Sequence, residues 1–300
     1  NALARNWRWL FPLDNPPDYA PPAHMSMAGQ AEARGCTPQE VAYDRLLDME
    51  VAVKLLNHEF SRDQEAINQL KEETRISLQL LHRHIVRFYN LEKRQNQFLI
   101  IMEYVPGVSL HKYMAQMPQG LVPLDLVLQI VGVMADALGY AHRKGVLHKD
   151  ITPSNVLISE DGVLKLIDFG IADLMNRQRV IPDYVIGTPV YMSPEQLRGD
   201  ELDARTDVYS LGVLTHQMMS GRLPNAPDPT VETLAFMPHP PLVGFPPRVG
   251  KVLEWALAFE TAGRCPTVRD FNINFREACR QDYGAAIAPP EARADEPDGV

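Results

Sequence analysis

The stretch Val146-Leu-His-Lys-Asp150-Ile-Thr-Pro-Ser-Asn155-Val-Leu-Ile-Ser-Glu160-Asp-Gly-Val-Leu-Lys165-Leu-Ile-Asp168-Phe-Gly170 decides how this chain is read. Two apolar runs, 156–158 and 163–167, flank Glu160-Asp161-Gly162. Asp-Gly is a strong signal for a two-residue turn between antiparallel strands. With Asp161 and Gly162 as the turn, Glu160 faces Val163, and counting outward in step Asn155 faces Asp168. Residues paired in this way lie about 5 Å apart. The hairpin therefore predicts an amide oxygen and a carboxylate side by side at its open end. Asp150 sits in the loop that feeds the first strand. Three oxygen-bearing side chains converge, which suits a hard cation such as Mg²⁺ holding phosphates.

The rest of the chain is compatible with such a site. Its 300 residues suffice for one or two domains with a real core. Hydrophobic residues make up 45% and charged residues 22%, which is ordinary globular composition and excludes a disordered chain. Lys and Arg number 29 against 38 Asp and Glu, a net charge of −9. An acidic chain without long basic runs argues against a nucleic-acid or anionic-membrane binder. Cys36, Cys265 and Cys279 form no CxxC and have no close His partner, which excludes a zinc ribbon and a disulfide scaffold. They fit a reducing compartment, and the expected location is cytoplasmic. The most apolar stretch, Leu121 to Ala141, carries Asp125, Gln129 and Asp136 and reads as a buried helix rather than a membrane span. The chain begins with Asn rather than Met, as a fragment would.

Residues 1–24 hold NWRWLF and then Pro12, Pro16, Pro17, Pro21 and Pro22, a loosely attached leader. Residues 281–300 are rich in Ala, Pro and acid, with too few apolar residues to offset the entropy of ordering, and read as a disordered tail. Between them lies one folded region, 25–280. Its first part is strand-rich. Glu50-Val-Ala-Val-Lys54-Leu alternates, putting Val51, Val53 and Leu55 on one face and Ala52 and Lys54 on the other. Residues 63–81 space Ile67, Leu70, Thr74, Leu78 and Leu81 as a helix does, and Ile85–Leu91 and Phe98–Glu103 read as a hairpin across KRQNQ. The rest is mostly helical. One helix starts at Asp125, and another runs from Thr206 to Ser220 and stops at Gly221. A small β-rich lobe to about 104 and a larger helical lobe over 105–280 imply a cleft.

At these residues the sequence resembles the protein kinase family, from about 41 to 278. HKDITPSN looks like the H-R-D-L-x-x-x-N catalytic loop, DFG stands at 168–170, and VAVK at 51–54 resembles V-A-I-K. Ser193-Pro194-Glu195 resembles A-P-E, Asp207-Val-Tyr-Ser-Leu-Gly resembles the helix that anchors the large lobe, and Arg264 stands where an Arg pairs with the A-P-E Glu, here Glu195. The resemblance implies an α+β, bilobal kinase-like fold and phosphoryl transfer from ATP, with Mg²⁺, to Ser or Thr of a protein substrate. Its texture is that of bacterial serine/threonine kinases.

By the same resemblance, Lys54 holds the α- and β-phosphates, Ala52 leaves room for the adenine, and Glu73 pairs with Lys54. Glu72 competes with Glu73, and the count back from His82 favours Glu73. The backbone of Met102-Glu103-Tyr104-Val105 receives the adenine, Asp150 orients the substrate hydroxyl, and Asn155 and Asp168 bind Mg²⁺. His148 reads as a structural histidine packed near the DFG turn.

Four departures stand out. The Gly-rich loop G-x-G-x-x-G-x-V is replaced by Gly29-Gln-Ala-Glu-Ala-Arg-Gly35-Cys-Thr-Pro38-Gln-Glu-Val41, in which Pro38 cannot donate to a strand ladder. A divergent nucleotide site with weakened ATP affinity, a degenerate kinase, and a reading-frame slip upstream of about residue 40 all remain open. Thr152 replaces a Lys that touches the γ-phosphate in the family, and Lys149 replaces the Arg of H-R-D, with a strand-like backbone expected to turn Lys149 away from the substrate. The segment 171–186 holds no Ser or Thr. The alternatives to a protein kinase are a pseudokinase scaffold and a small-molecule phosphotransferase. The intact Lys54, Glu73, Asp150, Asn155 and Asp168 oppose the first, the altered Gly-rich loop favours it, and the A-P-E segment opposes the second.

Overall fold

A computed structural model describes residues 32–33, 50–55, 78–94, 97–169, 180–181, 184–185, 189–225 and 229–284. The Pro-rich leader, nearly all of the stretch replacing the Gly-rich loop, the helix expected over 63–77 with Glu72 and Glu73, Gly170 to Arg179, and residues 285–300 lie outside them. The chain divides into two compact units, Asn1–Ala52 and Val53–Val300. Within the first, Glu32 and Ala33 are helical and Glu50–Ala52 leads into a strand.

Strand β1 is Val51–Leu55, β2 Phe88–Arg94 and β3 Gln97–Glu103, in the sheet order β1-β3-β2. The alternation expected along β1 is present, with Ala52 and Lys54 half-buried and Val51, Val53 and Leu55 exposed. Strands β2 and β3 pair antiparallel with Arg94 opposite Gln97, so the expected hairpin forms, but its first strand begins at Phe88 rather than Ile85. The reason is a competing pairing. Ile85 bridges Leu166 in parallel, and the N–H groups of Val86 and Leu166 donate to the carbonyls of Leu166 and His84. Residues 84–86 are thus spent on another sheet. Leu78 and Gln79 form a turn, and of the leucines here Leu80 is the buried one while Leu78 and Leu81 are exposed. The helical spacing therefore fails at its end.

A second antiparallel sheet holds β4 (Gly107–Ser109), β5 (Val156–Ser159) and β6 (Leu164–Leu166), in that order. The short strands β7 (Val180–Ile181) and β8 (Tyr184–Val185) pair with each other.

The helices are α1 (Leu110–Gln116), α2 (Leu124–Arg143), α3 (Pro194–Arg198), α4 (Ala204–Ser220), α5 (Val231–Phe236), α6 (Pro247–Ala256) and α7 (Val268–Tyr283). The core is built around α2 and α4. Helix α2 buries Val127, Leu128, Ile130, Val131 and Met134 in its first half and Ala135, Ala137, Leu138 and Ala141 in its second. By length and composition it could also cross a membrane; here its apolar residues pack against α4 and α7. Helix α4 is buried nearly all round, and even its polar Thr206, Asp207, Ser210 and Thr215 are inside. Asp203 caps its N-terminus and Gly221, at φ 69°, ends it as the sequence predicts.

Helix α7 runs on to Tyr283, past residue 280, where the sequence placed the end of the folded region. Asp282 explains the extension. Its carboxylate accepts the N–H groups of Arg248 and Val249 at 2.8 and 2.9 Å and pairs with the Arg248 guanidinium at 3.1 Å. It satisfies donors at the start of α6, whose own N-cap, Pro246, has no side chain to do so.

The expected Glu195–Arg264 pair is present and buried. Nη1 and Nη2 of Arg264 meet the two carboxylate oxygens at 2.5 and 3.0 Å, and Thr206 Oγ1 adds a third bond at 3.0 Å. Burial pushes the Glu195 carboxyl up, but the hydrogen bonds and charge of Arg264 outweigh it and hold the group below its ordinary 4.5. A depressed carboxylate contributes stability above that value and loses it as pH falls through the lowered one. Glu195→Gln should cost about 3–5 kcal/mol by leaving a buried guanidinium uncompensated, roughly ten degrees in melting temperature for a domain of this size. Thermal melts from pH 7 to pH 3 check this: the gap between wild type and variant should close at the acid end.

Candidate active site

The hairpin that decided the sequence reading forms with a different register. Val156 faces Leu166, Leu157 faces Lys165 and Ile158 faces Leu164. Ser159 N–H donates to Val163 O and Gly162 N–H to Ser159 O, so the loop has three residues, Glu160 to Gly162, rather than two. Gly162 at φ 79° supplies the left-handed residue that such a loop needs. Asn155 is therefore joined to Ile167, whose N–H donates to its carbonyl at 3.0 Å, and Asp168 comes one residue later. The predicted facing of Asn155 and Asp168 is corrected by one position. Ladder pairing does not aim the Asp168 side chain. Asp168 has φ 67°, a left-handed conformation sparsely populated by residues other than Gly and best tolerated by Asn and Asp.

At that turn Asp168 Oδ2 accepts a hydrogen bond from Lys54 Nζ at 2.6 Å, an ion pair with side chains 14% and 28% exposed. Its other oxygen, Oδ1, is buried and has no hydrogen-bond partner among the described residues. A buried carboxylate oxygen without a donor is costly and calls for a cation or a donor from outside. Asp150 and Asn155 meet directly: Asn155 Nδ2 donates to the Asp150 carbonyl at 2.8 Å and to its carboxylate Oδ2 at 2.9 Å. Both bonds use the nitrogen, so the amide oxygen stays available as a ligand. Oxygen donors from Asp168 and Asn155 fit a hard divalent cation.

The loop carrying Asp150 hangs from one buried carboxylate. Asp207, at 0% exposure, accepts the N–H of His148 and of Lys149 at 2.9 Å each and His142 Nε2 at 2.7 Å. Burial pushes this carboxyl up, but the hydrogen bond and charge of His142, the charge of His148 and the His148 N–H bring it below its usual value. Lys149 is bent to φ 65°, not strand-like as expected, because its N–H and that of His148 turn toward the same carboxylate. His148 is fully buried against the Phe169 ring, 4.4 Å between centroids, the structural placement expected of it. Thr152 is buried and extended, and its carbonyl accepts the Asn155 N–H at 3.0 Å.

Other expected residues fall as follows. Ala52 lies on β1 two residues before Lys54 and is half-buried. Glu103 ends β3, and Val105, also half-buried, follows it in irregular chain. Glu73 lies outside the described residues. Two contributors were missed in the sequence. His142 carries no local signal beyond its ionisable ring. Gln196 does, since Ser193-Pro-Glu-Gln196 reads as a capping box. That box is present, and the Gln196 Nε2 also donates to the Lys149 carbonyl at 2.8 Å.

The chain matches the protein kinase domain family over residues 41–237, and it belongs to that family. It is similar to a probable serine/threonine-protein kinase of Clostridium acetobutylicum, 36% identical over 191 residues, which cover 63% of this chain and 29% of the relative. Serine/threonine-protein kinase PrkC of Bacillus subtilis is 34% identical over 185 residues, 61% of this chain and 28% of the relative. The chain thus spans less than a third of the length of these two curated relatives. Among solved structures, the kinase domain of Mycobacterium tuberculosis PknI aligns with a TM-score of 0.63 and 30% identity, over 76% of this chain and 85% of that one. The α+β kinase fold implied by the motifs is the fold observed.

Asp207→Asn tests the suspension of the loop. An amide offers one acceptor oxygen where two N–H groups and an imidazole now converge, so at least one buried donor loses its partner, at about 1–3 kcal/mol. We expect a lower melting temperature and a phosphoryl-transfer rate reduced by at least about tenfold, measured by calorimetry and by steady-state kinetics on a peptide.

Proposed function

We propose that this domain transfers the γ-phosphoryl group of ATP, with Mg²⁺, to Ser or Thr hydroxyls of protein substrates. The observation that carries the reading is the Asp168 carboxylate, with one oxygen on Lys54 and the other buried without a partner among the described residues, in a chain that keeps Asp150 bonded to Asn155. Mg²⁺, when bound, neutralises charge on the phosphates. Asp168 and Asn155 would hold it through their oxygens. Lys54 places its ammonium at the α- and β-phosphates, and Glu73 keeps it aimed. Asp150, oriented by the Asn155 amide, receives the proton of the substrate hydroxyl. The backbone of Glu103 and Val105 receives the adenine, with Ala52 small enough to leave it room. Positioning and charge neutralisation are most of what phosphoryl transfer asks of a protein.

The kinase domain is taken to run from about 25 to the end of α7 at Tyr283, with its lobes divided near 104. Burial pushes the thiols of Cys265 and Cys279 up to about 11 and about 12, so both stay protonated at neutral pH, and the free cysteines fit the cytoplasm.

Asp168→Asn should abolish Mg²⁺-dependent phosphorylation of a Ser/Thr peptide while the melting temperature moves little, because the loss falls on the transition state. Retained activity would remove Asp168 from the site; phosphorylation of a small molecule in place of peptides would overturn the substrate class. Because 171–186 contains no Ser or Thr, treatment with a Ser/Thr phosphatase should leave the rate on an external peptide unchanged. A large loss of rate on that treatment, or one mapped by mass spectrometry to Tyr184 after tyrosine dephosphorylation, would contradict this.

A further inference from the structure

Lys165 occupies the middle of β6, between Leu164 and Leu166, which are 2% and 1% exposed. Strand alternation puts its side chain on the opposite face. There its ammonium meets Glu103 Oε1 at 2.5 Å, with the two side chains 18% and 26% exposed. Glu103 is held at two further points. Its Oε2 accepts the N–H of Arg87 at 3.1 Å, and its own N–H donates to the Arg87 carbonyl at 2.8 Å. The last residue of β3 is thus fixed by main chain on one side and by an ion pair on the other.

The two ends of this pair belong to different parts of the proposed nucleotide site. Glu103 and the residues after it are the backbone assigned to the adenine. Lys165 lies just before Ile167 and Asp168, and Asp168 is bound to Lys54 at 2.6 Å. Only short, hydrogen-bonded chain separates Lys165 from the carboxylate assigned to the metal. The partly shielded pair is screened less by salt than an open surface pair.

We propose that Lys165 is a positioning residue for the nucleotide: it fixes Glu103, and with it the backbone that receives the adenine, relative to Asp168. The inference rests on the assignment of 102–105 as the adenine-holding segment in the proposed function. Lys165 itself faces the glutamate and is not a phosphate ligand. Its removal should therefore weaken binding of the base without slowing the chemical step.

The test compares wild type with Lys165→Met, Lys165→Arg and the charge exchange Lys165→Glu with Glu103→Lys. Affinity is measured by calorimetry for Mg²⁺-ATP and for Mg²⁺-tripolyphosphate, which has no base. For Lys165→Met we expect ATP affinity and KM to worsen about tenfold, the scale of a coupled contact, with tripolyphosphate affinity and the single-turnover rate at saturating ATP unchanged. Lys165→Arg should recover most of the loss, and the exchanged pair, which restores the opposite charges but not the acceptor for the Arg87 N–H, only part of it. Equal ATP affinity in wild type and Lys165→Met overturns this inference alone. So does a loss shared equally by ATP and tripolyphosphate, or one that follows only a lowered melting temperature. Failure of the wild type to bind ATP at all would overturn the kinase reading and this inference with it.

Discussion

The site depends first on a single buried carboxylate. Asp207 gathers two backbone N–H groups and an imidazole, with no access to water. A charge in that position survives because both of its oxygens accept hydrogen bonds, three in all. The consequence is geometric. With His148 and Lys149 turned inward to Asp207, the chain must bend at Lys149, and Asp150 emerges at a fixed place beside Asn155. A loop of ordinary polar residues is thereby given the precision of the helix beneath it, which is what in-line phosphoryl transfer requires.

Helix α3 couples this suspension to the rest of the large lobe through two consecutive residues. Glu195 turns into the core to Arg264, whose guanidinium also donates to the carbonyls of Ala258, Phe259 and Arg205. Gln196 turns the other way. Its amide oxygen accepts the Ser193 N–H and closes the helix cap, while its amide nitrogen holds the Lys149 carbonyl. Lys149 is therefore gripped at its N–H by α4 and at its carbonyl by α3. A five-residue helix with little propensity of its own is kept in place by polar contacts at both faces, and in return it fixes the loop.

Much of this could be read from residue types in order. The helices starting near Asp125 and ending at Gly221, the alternation along β1, the Glu195–Arg264 pair and the packing of His148 beside Phe169 follow from periodicity, capping and the family pattern. What failed was register. Asp-Gly signals a turn, but whether two or three residues form it depends on where the left-handed conformation falls, and placing it on Gly162 alone moves every pair by one. The start of β2 failed for a different reason. Ile85 and Val86 have the apolar character of either strand, and only the tertiary pairing with Leu166 decides between them. Lys165 and His142 were invisible because a lone charged residue says nothing of its partner until the chain is folded.

The Asp168 turn shows why a register error did not destroy the functional reading. Were aim set by ladder pairing, a shift of one residue would have sent the carboxylate to the opposite face. Asp168 instead lies past the end of β6, and its positive φ sets its direction independently of the strand. A left-handed Asp costs on the order of 1–3 kcal/mol, and it is held by the Lys54 ion pair and by the neighbouring Phe169 ring buried against His148. The other buried carboxylates here, Glu195 and Asp207, have both oxygens satisfied from within the protein. Asp168 has one oxygen satisfied and one buried without a partner among the described residues. Strain and an unmet acceptor coincide at one residue, which is where the proposed cation would gain most from binding.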